Sequence, residues 1–105
     1  MKQFKIIYRV LRILQRAMEL EEFDAECLSA ETLGISAAMW ARILKMLAEE
    51  GYIRGVKVIE NDASPIPLIR MARPEITLKG LEYLEENAMM AKAARLAKGI
   101  SELIP

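Results

Sequence analysis

Two glycines, Gly34 and Gly51, stand seventeen positions apart and bracket a run with helical apolar spacing. Few small folds accommodate that bracket. On its N-terminal side the chain reads Glu31-Thr32-Leu33-Gly34-Ile35-Ser36. Here glycine permits a sharp turn, Ile35 can plug the angle between two helices, and Ser36 offers its hydroxyl as the next N-cap. On the C-terminal side, Glu50-Gly51-Tyr52-Ile53 is a helix terminator followed at once by β-type residues that must pack back onto the helices. Between them, Trp40, Ile43, Leu44 and Leu47 form one stripe with Met39 and Met46 beside it. Ala38, Ala41, Arg42, Lys45, Ala48 and Glu49 are then expected outward, a surface of small side chains with two cations.

The flanks fall into place around this helix. Phe4, Ile7, Leu11, Leu14 and Met18 recur at steps of three and four, widened by Ile6, Val10, Ile13 and Ala17, which predicts an amphipathic helix. Its cations, Lys2, Lys5, Arg9, Arg12 and Arg16, form a band on the other side. An acidic turn follows, with Glu19, Glu21, Glu22, Asp24, Glu26 and Glu31, and Ser29 can cap a short helix over Ala30 to Leu33 that Gly34 ends. Beyond Gly51, Tyr52, Ile53, Val56, Val58 and Ile59 predict a strand. The apolar alternation slips by one residue at Gly55, which marks a bulge. Asn61 to Pro67 is a turn-forming cluster, Leu68 to Ala72 a return strand, and Pro74 closes the hairpin. Thr77 caps a helix carrying Leu78, Leu81, Leu84 and Ala88, with Asn87 as its terminator.

Helix, short helix, turn, helix, hairpin, helix is the order of a winged helix-turn-helix. The expected fold class is α+β, mostly helical, with a two-stranded β-hairpin wing and an added C-terminal helix. It forms one winged-helix domain over 1–105, with a core at 1–88 and the C-terminal helix at 89–105. In that last segment Met89, Ala93, Leu96, Ile100 and Leu103 alternate by four and three, a short heptad seam suited to a homodimer.

Composition narrows the function. The 105 residues carry 15 Lys plus Arg against 15 Asp plus Glu, so any basic surface must be local. With no histidine, Ser-His and Cys-His catalysis and the usual zinc ligand sets are removed. The single Cys27 excludes an internal disulfide, and its acidic neighbours should raise the thiol pKa, against a reactive nucleophile. No Gly-rich phosphate loop, metal-spaced carboxylate cluster or activated serine signature occurs, so neither an enzyme nor a metal or other cofactor is expected. No run approaches a membrane span, and cations interrupt the N-terminus where a secretory apolar core would sit, so a cytoplasmic protein without a membrane partner is expected.

Gly51-Tyr52-Ile53 with Gly55-Val56, then Pro74-Glu75-Ile76-Thr77 with Lys79-Gly80 and Glu82-Tyr83-Leu84, followed by a lysine-dotted segment, resembles the YjcQ family. The likeness runs from about Phe4 to Ile104 and is most specific from Gly51 to Asn87. It implies a small winged-helix protein of the kind found in bacteria and prophages. It implies little about function, because the members are largely uncharacterised and fold alone does not fix function.

Two functional readings follow. In the first, the chain is a small DNA-binding, transcription-regulator-like protein that lays the helix after Ser36 in the major groove of double-stranded DNA. Arg42 and Lys45 supply contacts from that helix, and Arg54 and Lys57 from the wing, with Arg70 and Arg73 nearby. In the second, the fold is a protein-interaction or dimerisation module using Met89, Ala93, Leu96, Ile100 and Leu103. A continuous positive surface favours the first, whereas carboxylates such as Glu49, Glu50 and Asp62 interleaved among the cations favour a protein partner or no partner. Trp40 shares a stripe with Ile43, Leu44 and Leu47, so core packing explains it better than base stacking.

Overall fold

A computed structural model of the chain describes residues 2–88. The expected interface residues Met89, Ala93, Leu96, Ile100 and Leu103, and the whole expected C-terminal helix, lie outside the described residues.

Helix α1 (Lys2–Ala17) leads into a turn and a short 3-10 helix (Ala25–Leu28), then α2 (Ala30–Leu33) and α3 (Ala37–Glu49). Strands β1 (Ile53–Asn61) and β2 (Ser64–Ile76) form an antiparallel hairpin, and α4 runs over residues 78–88. The expected α+β, winged-helix-like arrangement is present: helices first, then a two-stranded wing. Among the described residues no helix is long and apolar enough to cross a membrane.

Local chemistry sets the helix ends. The Ser29 hydroxyl accepts from the Thr32 amide, and the Ser36 hydroxyl from the Met39 amide, each satisfying an orphan donor of a first turn. Gly34, at φ 71°, and Gly51, at φ 80°, take the left-handed conformation that ends α2 and α3. Past each glycine the chain bonds back: Ile35 N–H to the Ala30 carbonyl and Tyr52 N–H to that of Leu47. Helix α4 starts by closing the end of α3. The Thr77 hydroxyl donates to the Gly51 carbonyl and accepts from the Gly80 amide, while the Lys79 ammonium donates to the Glu50 carbonyl, a cation at a helix C-terminus.

The core joins Ile6, Val10, Leu11 and Leu14 of α1 to Leu28, Leu33, Ile43, Leu44 and Leu47, with Ile53, Ile76 and Leu84 closing it from the wing base and α4. Each such side chain withdrawn from water contributes about 1.5–3 kcal/mol. Trp40 is half-buried against this cluster, and its indole N–H donates to the Leu28 carbonyl at 2.6 Å, tying α3 to the 3-10 helix. The core role expected for Trp40 therefore holds.

Face assignments change on both α3 and α1. Ala41, expected outward, is only 3% exposed, whereas Met46, expected beside the core stripe, is 48% exposed. At 3.6 residues per turn Ala41 lies one turn before Leu44, and Met46 sits on the ridge between Arg42 and Glu49. Ala48, also expected outward, packs in part against the core. In α1, Phe4 is 56% exposed, and Met18, one position past the helix, is 60% exposed. Both overhang the ends of a face whose buried members are Ile6, Val10, Leu11, Leu14 and Ala17.

The hairpin is longer than expected. The Asn61 side-chain oxygen accepts from the amides of Ala63 and Ser64, closing a turn directly after β1 where a loop through Pro67 was expected. The register slips between Arg54 and Val56, at the bulge expected for Gly55, and again between Ile59 and Asn61. At each slip the surplus residues lie on β2, and Pro65, Pro67 and Pro74 occupy those stretches. A residue without an amide hydrogen costs least where the ladder is already interrupted. Pro74 thus lies within β2, which continues to Ile76. Asn87 does not end α4 either: its side-chain amide donates to the Tyr83 carbonyl and the helix runs on through residue 88.

Candidate nucleic-acid interface

Residues that face each other across an antiparallel ladder share a side of the sheet. The pairs Val56–Met71 and Val58–Ile69 are half-buried, and Val56, Ile69 and Met71 pack on the core, so these pairs form the inner face. The alternate pairs, Lys57–Arg70 and Ile59–Leu68, form the outer face, where Lys57 and Arg70 are exposed and Leu68 is 52% exposed. A shallow trough runs along Gly55, Val56, Lys57, Arg70, Met71 and Ala72.

The four expected contacts fall into different surroundings. Arg42 is exposed on α3. Lys45, one turn later, is held by two carboxylates: Glu60 of β1 and, at 3.6 Å, Glu49 of its own helix. Its hydrogen bond to Glu60 is the main cause pushing the ammonium above the usual lysine range, and Glu49 adds to it. Arg54 lies 3.9 Å from Glu75, its partner across the ladder. Lys57 faces Arg70, and among the described residues no carboxylate pairs with Lys57, Arg70 or Arg42.

Glu60 reaches α3, while Lys57, three residues earlier, is on the outer face. The expected quartet thus lies on two elements: Arg42 and Lys45 on α3, and Arg54 and Lys57, with Arg70, on the outer wing. Arg73 has another task. Its guanidinium donates to the carbonyls of Glu21, at 2.5 Å, and Leu20, at 2.8 Å, fastening the wing base to the turn after α1. In the cationic band of α1, Arg9 donates to the Thr32 carbonyl and Arg12 to the Gln15 side chain.

Of the carboxylates expected to interrupt the cations, Glu49 does so, whereas Glu60 and Glu75 were not foreseen. The two-residue alternation of Val56 and Val58 places Glu60 on the inner face, and that was the available signal. Glu75 had none beyond its place in the return strand.

Cys27 donates its thiol to the Asp24 carbonyl at 2.9 Å. Burial first, and the Asp24 charge second, push its pKa above the ordinary thiol value. The expected direction holds, with burial as the larger cause. At neutral pH an alkylating reagent is expected to modify Cys27 more slowly than free cysteine, as followed by mass spectrometry; equal or faster modification would contradict this environment.

A family model described as YjcQ protein matches residues 8–103. The chain is similar to the "Uncharacterized protein YjcQ" of Bacillus subtilis (strain 168), with 32% identity over 92 residues that cover 87% of this chain and 94% of that protein. No solved structure matches the chain. The Gly51-Tyr52-Ile53 and Pro74-Glu75-Ile76-Thr77 segments that carried the resemblance are the joints between α3, the wing and α4, and the match spans nearly all the elements described above: the chain belongs to the YjcQ family.

Proposed function

We propose that the chain binds double-stranded DNA as a small, transcription-regulator-like winged-helix protein whose grip is mainly on phosphates. The observation that carries this reading is the Lys57–Arg70 pair. Like charges directly opposite on a strand pair cost stability, and among the described residues nothing neutralises these two. A polyanion laid along the outer wing removes that repulsion. Arg42, exposed on α3, adds a third cation, and an exposed helix beside a wing is the geometry by which this fold class meets a duplex. With Lys45 and Arg54 paired internally, few side chains are left to read base edges, so weak sequence preference is expected.

Fluorescence anisotropy on random duplex tests the reading. With about three phosphates neutralised, the log–log salt slope is about −2.7, and affinity falls about fortyfold between 50 and 200 mM salt. The triple variant Arg42→Ala, Lys57→Ala, Arg70→Ala should lose that binding while keeping its circular dichroism spectrum. Absence of salt-sensitive binding by the wild type at low salt would remove the proposal.

A second reading, a protein-interaction module without nucleic-acid binding, is favoured by one observation. The ion pairs on Lys45 and Arg54 break up the positive surface, and exposed Leu68 flanks the outer-face cations. Sedimentation of the full chain without DNA, showing self-association unaffected by salt, would support it.

A further inference from the structure

The Lys45–Glu60 contact joins the exposed side of α3 to the wing. Lys45 lies one helical turn after Arg42, so on the proposed DNA-binding reading it is the next α3 cation a phosphate would meet. It is already occupied: Glu60 holds its ammonium, Glu49 lies 3.6 Å away, and about a third of its side chain is exposed. Glu60 itself is more than half exposed, so no packing requirement explains an acid at that position.

We infer that Glu60 is an autoinhibitory contact, an internal carboxylate that stands where a DNA phosphate would sit on Lys45 and that the duplex must displace. The inference rests on the DNA-binding reading above and adds its regulation. Exposed ion pairs couple weakly, which keeps the contact displaceable and limits its effect to about fivefold in affinity. Glu60 thus lowers nonspecific affinity while leaving Lys45 available once α3 is engaged.

The test is duplex binding by Glu60→Gln, made alone and in a Lys45→Ala background, with Glu82→Gln as a control that removes one carboxylate from α4. Since Glu60 is exposed, the glutamine variant should fold as the wild type does, checked by thermal melting. The expected result is binding about three- to fivefold tighter for Glu60→Gln, and no comparable gain when Lys45 is absent. Glu82→Gln should leave affinity unchanged.

An equal gain in both backgrounds would overturn the inference, because Glu60 would then simply repel phosphates. A wild type that binds and a Glu60→Gln variant that binds no better would overturn it while leaving the DNA-binding reading intact. Failure of every variant to bind at low salt would remove both.

Discussion

Gly55→Ala is expected to destabilise the protein by about 2–5 kcal/mol and to lower its melting temperature by about 10 °C or more. Two effects add. Gly55 has φ 79°, where an L side chain is strained, a cost of about 1–2 kcal/mol. A Cβ there would also lie 2.0 Å from the Arg73 carbonyl oxygen and 2.8 Å from its carbon. These are backbone atoms, so relief requires the strands to part, an overpacking cost of about 1–3 kcal/mol or more. Arg73 cannot retreat easily, because its guanidinium is bonded to the carbonyls of Glu21 and Leu20.

Gly34→Ala and Gly51→Ala provide the internal control. Both positions have similar positive φ, but nothing lies within 4 Å of a built Cβ, so each should lose only about 1–2 kcal/mol. Thermal or urea unfolding of the three variants separates strain from steric overlap. Equal losses at all three would mean that the close approach of β2 to Gly55 is wrong. For function the consequence is local: a displaced β2 changes the register that sets Lys57 opposite Arg70, so Gly55→Ala should also weaken duplex binding where Gly34→Ala does not.

These glycines also show what was legible in the sequence. Features set by neighbours a few residues apart could be read: the Ser29 and Ser36 caps, the left-handed Gly34 and Gly51, the slip at Gly55. Their physics is confined to one turn of chain. The ends of helical faces were harder, because periodicity gives a direction and not a boundary. Phe4 and Met18 point along the apolar direction of α1 but lie where the core no longer reaches them. Ala41 is buried and Met46 exposed because angular position on α3, and not side-chain size or hydropathy, decides which of them meets the core. The candidate site was least legible. Arg42, Lys45, Arg54 and Lys57 were identifiable as cations near a wing, but the pairing of Lys45 with Glu60 and Glu49, and of Arg54 with Glu75, depends on which strand face and which register meet. Two slips set that register, one of them at Ile59–Asn61, where the sequence shows only prolines and a turn.

Gly80→Ala is the second large expected effect, and here propensity and packing disagree in sign. Gly80 lies within α4, where replacing glycine by alanine ordinarily stabilises by about 1 kcal/mol. A Cβ at Gly80, however, would lie 2.4 Å from the Tyr52 carbonyl oxygen and 2.6 Å from Cγ1 of Ile76. Neither neighbour is free to move. The Tyr52 carbonyl accepts from the Thr77 amide, and Ile76 is buried in the core as the ladder partner of Ile53. The overlap falls at the junction where α3, both strands and α4 meet, so relief means lifting α4 off the wing base. That would weaken the Thr77 and Lys79 bonds to the end of α3 and uncover Leu84. Overpacking with loss of these contacts should outweigh the propensity gain, leaving a net destabilisation of about 2–3 kcal/mol, or about 10 °C in melting temperature. A melting temperature unchanged or raised would show that α4 does not approach the strands through its backbone at Gly80. Because the outer wing cations are remote from this joint, Gly80→Ala protein held below its melting transition should retain the salt slope of duplex binding, whereas Gly55→Ala should not.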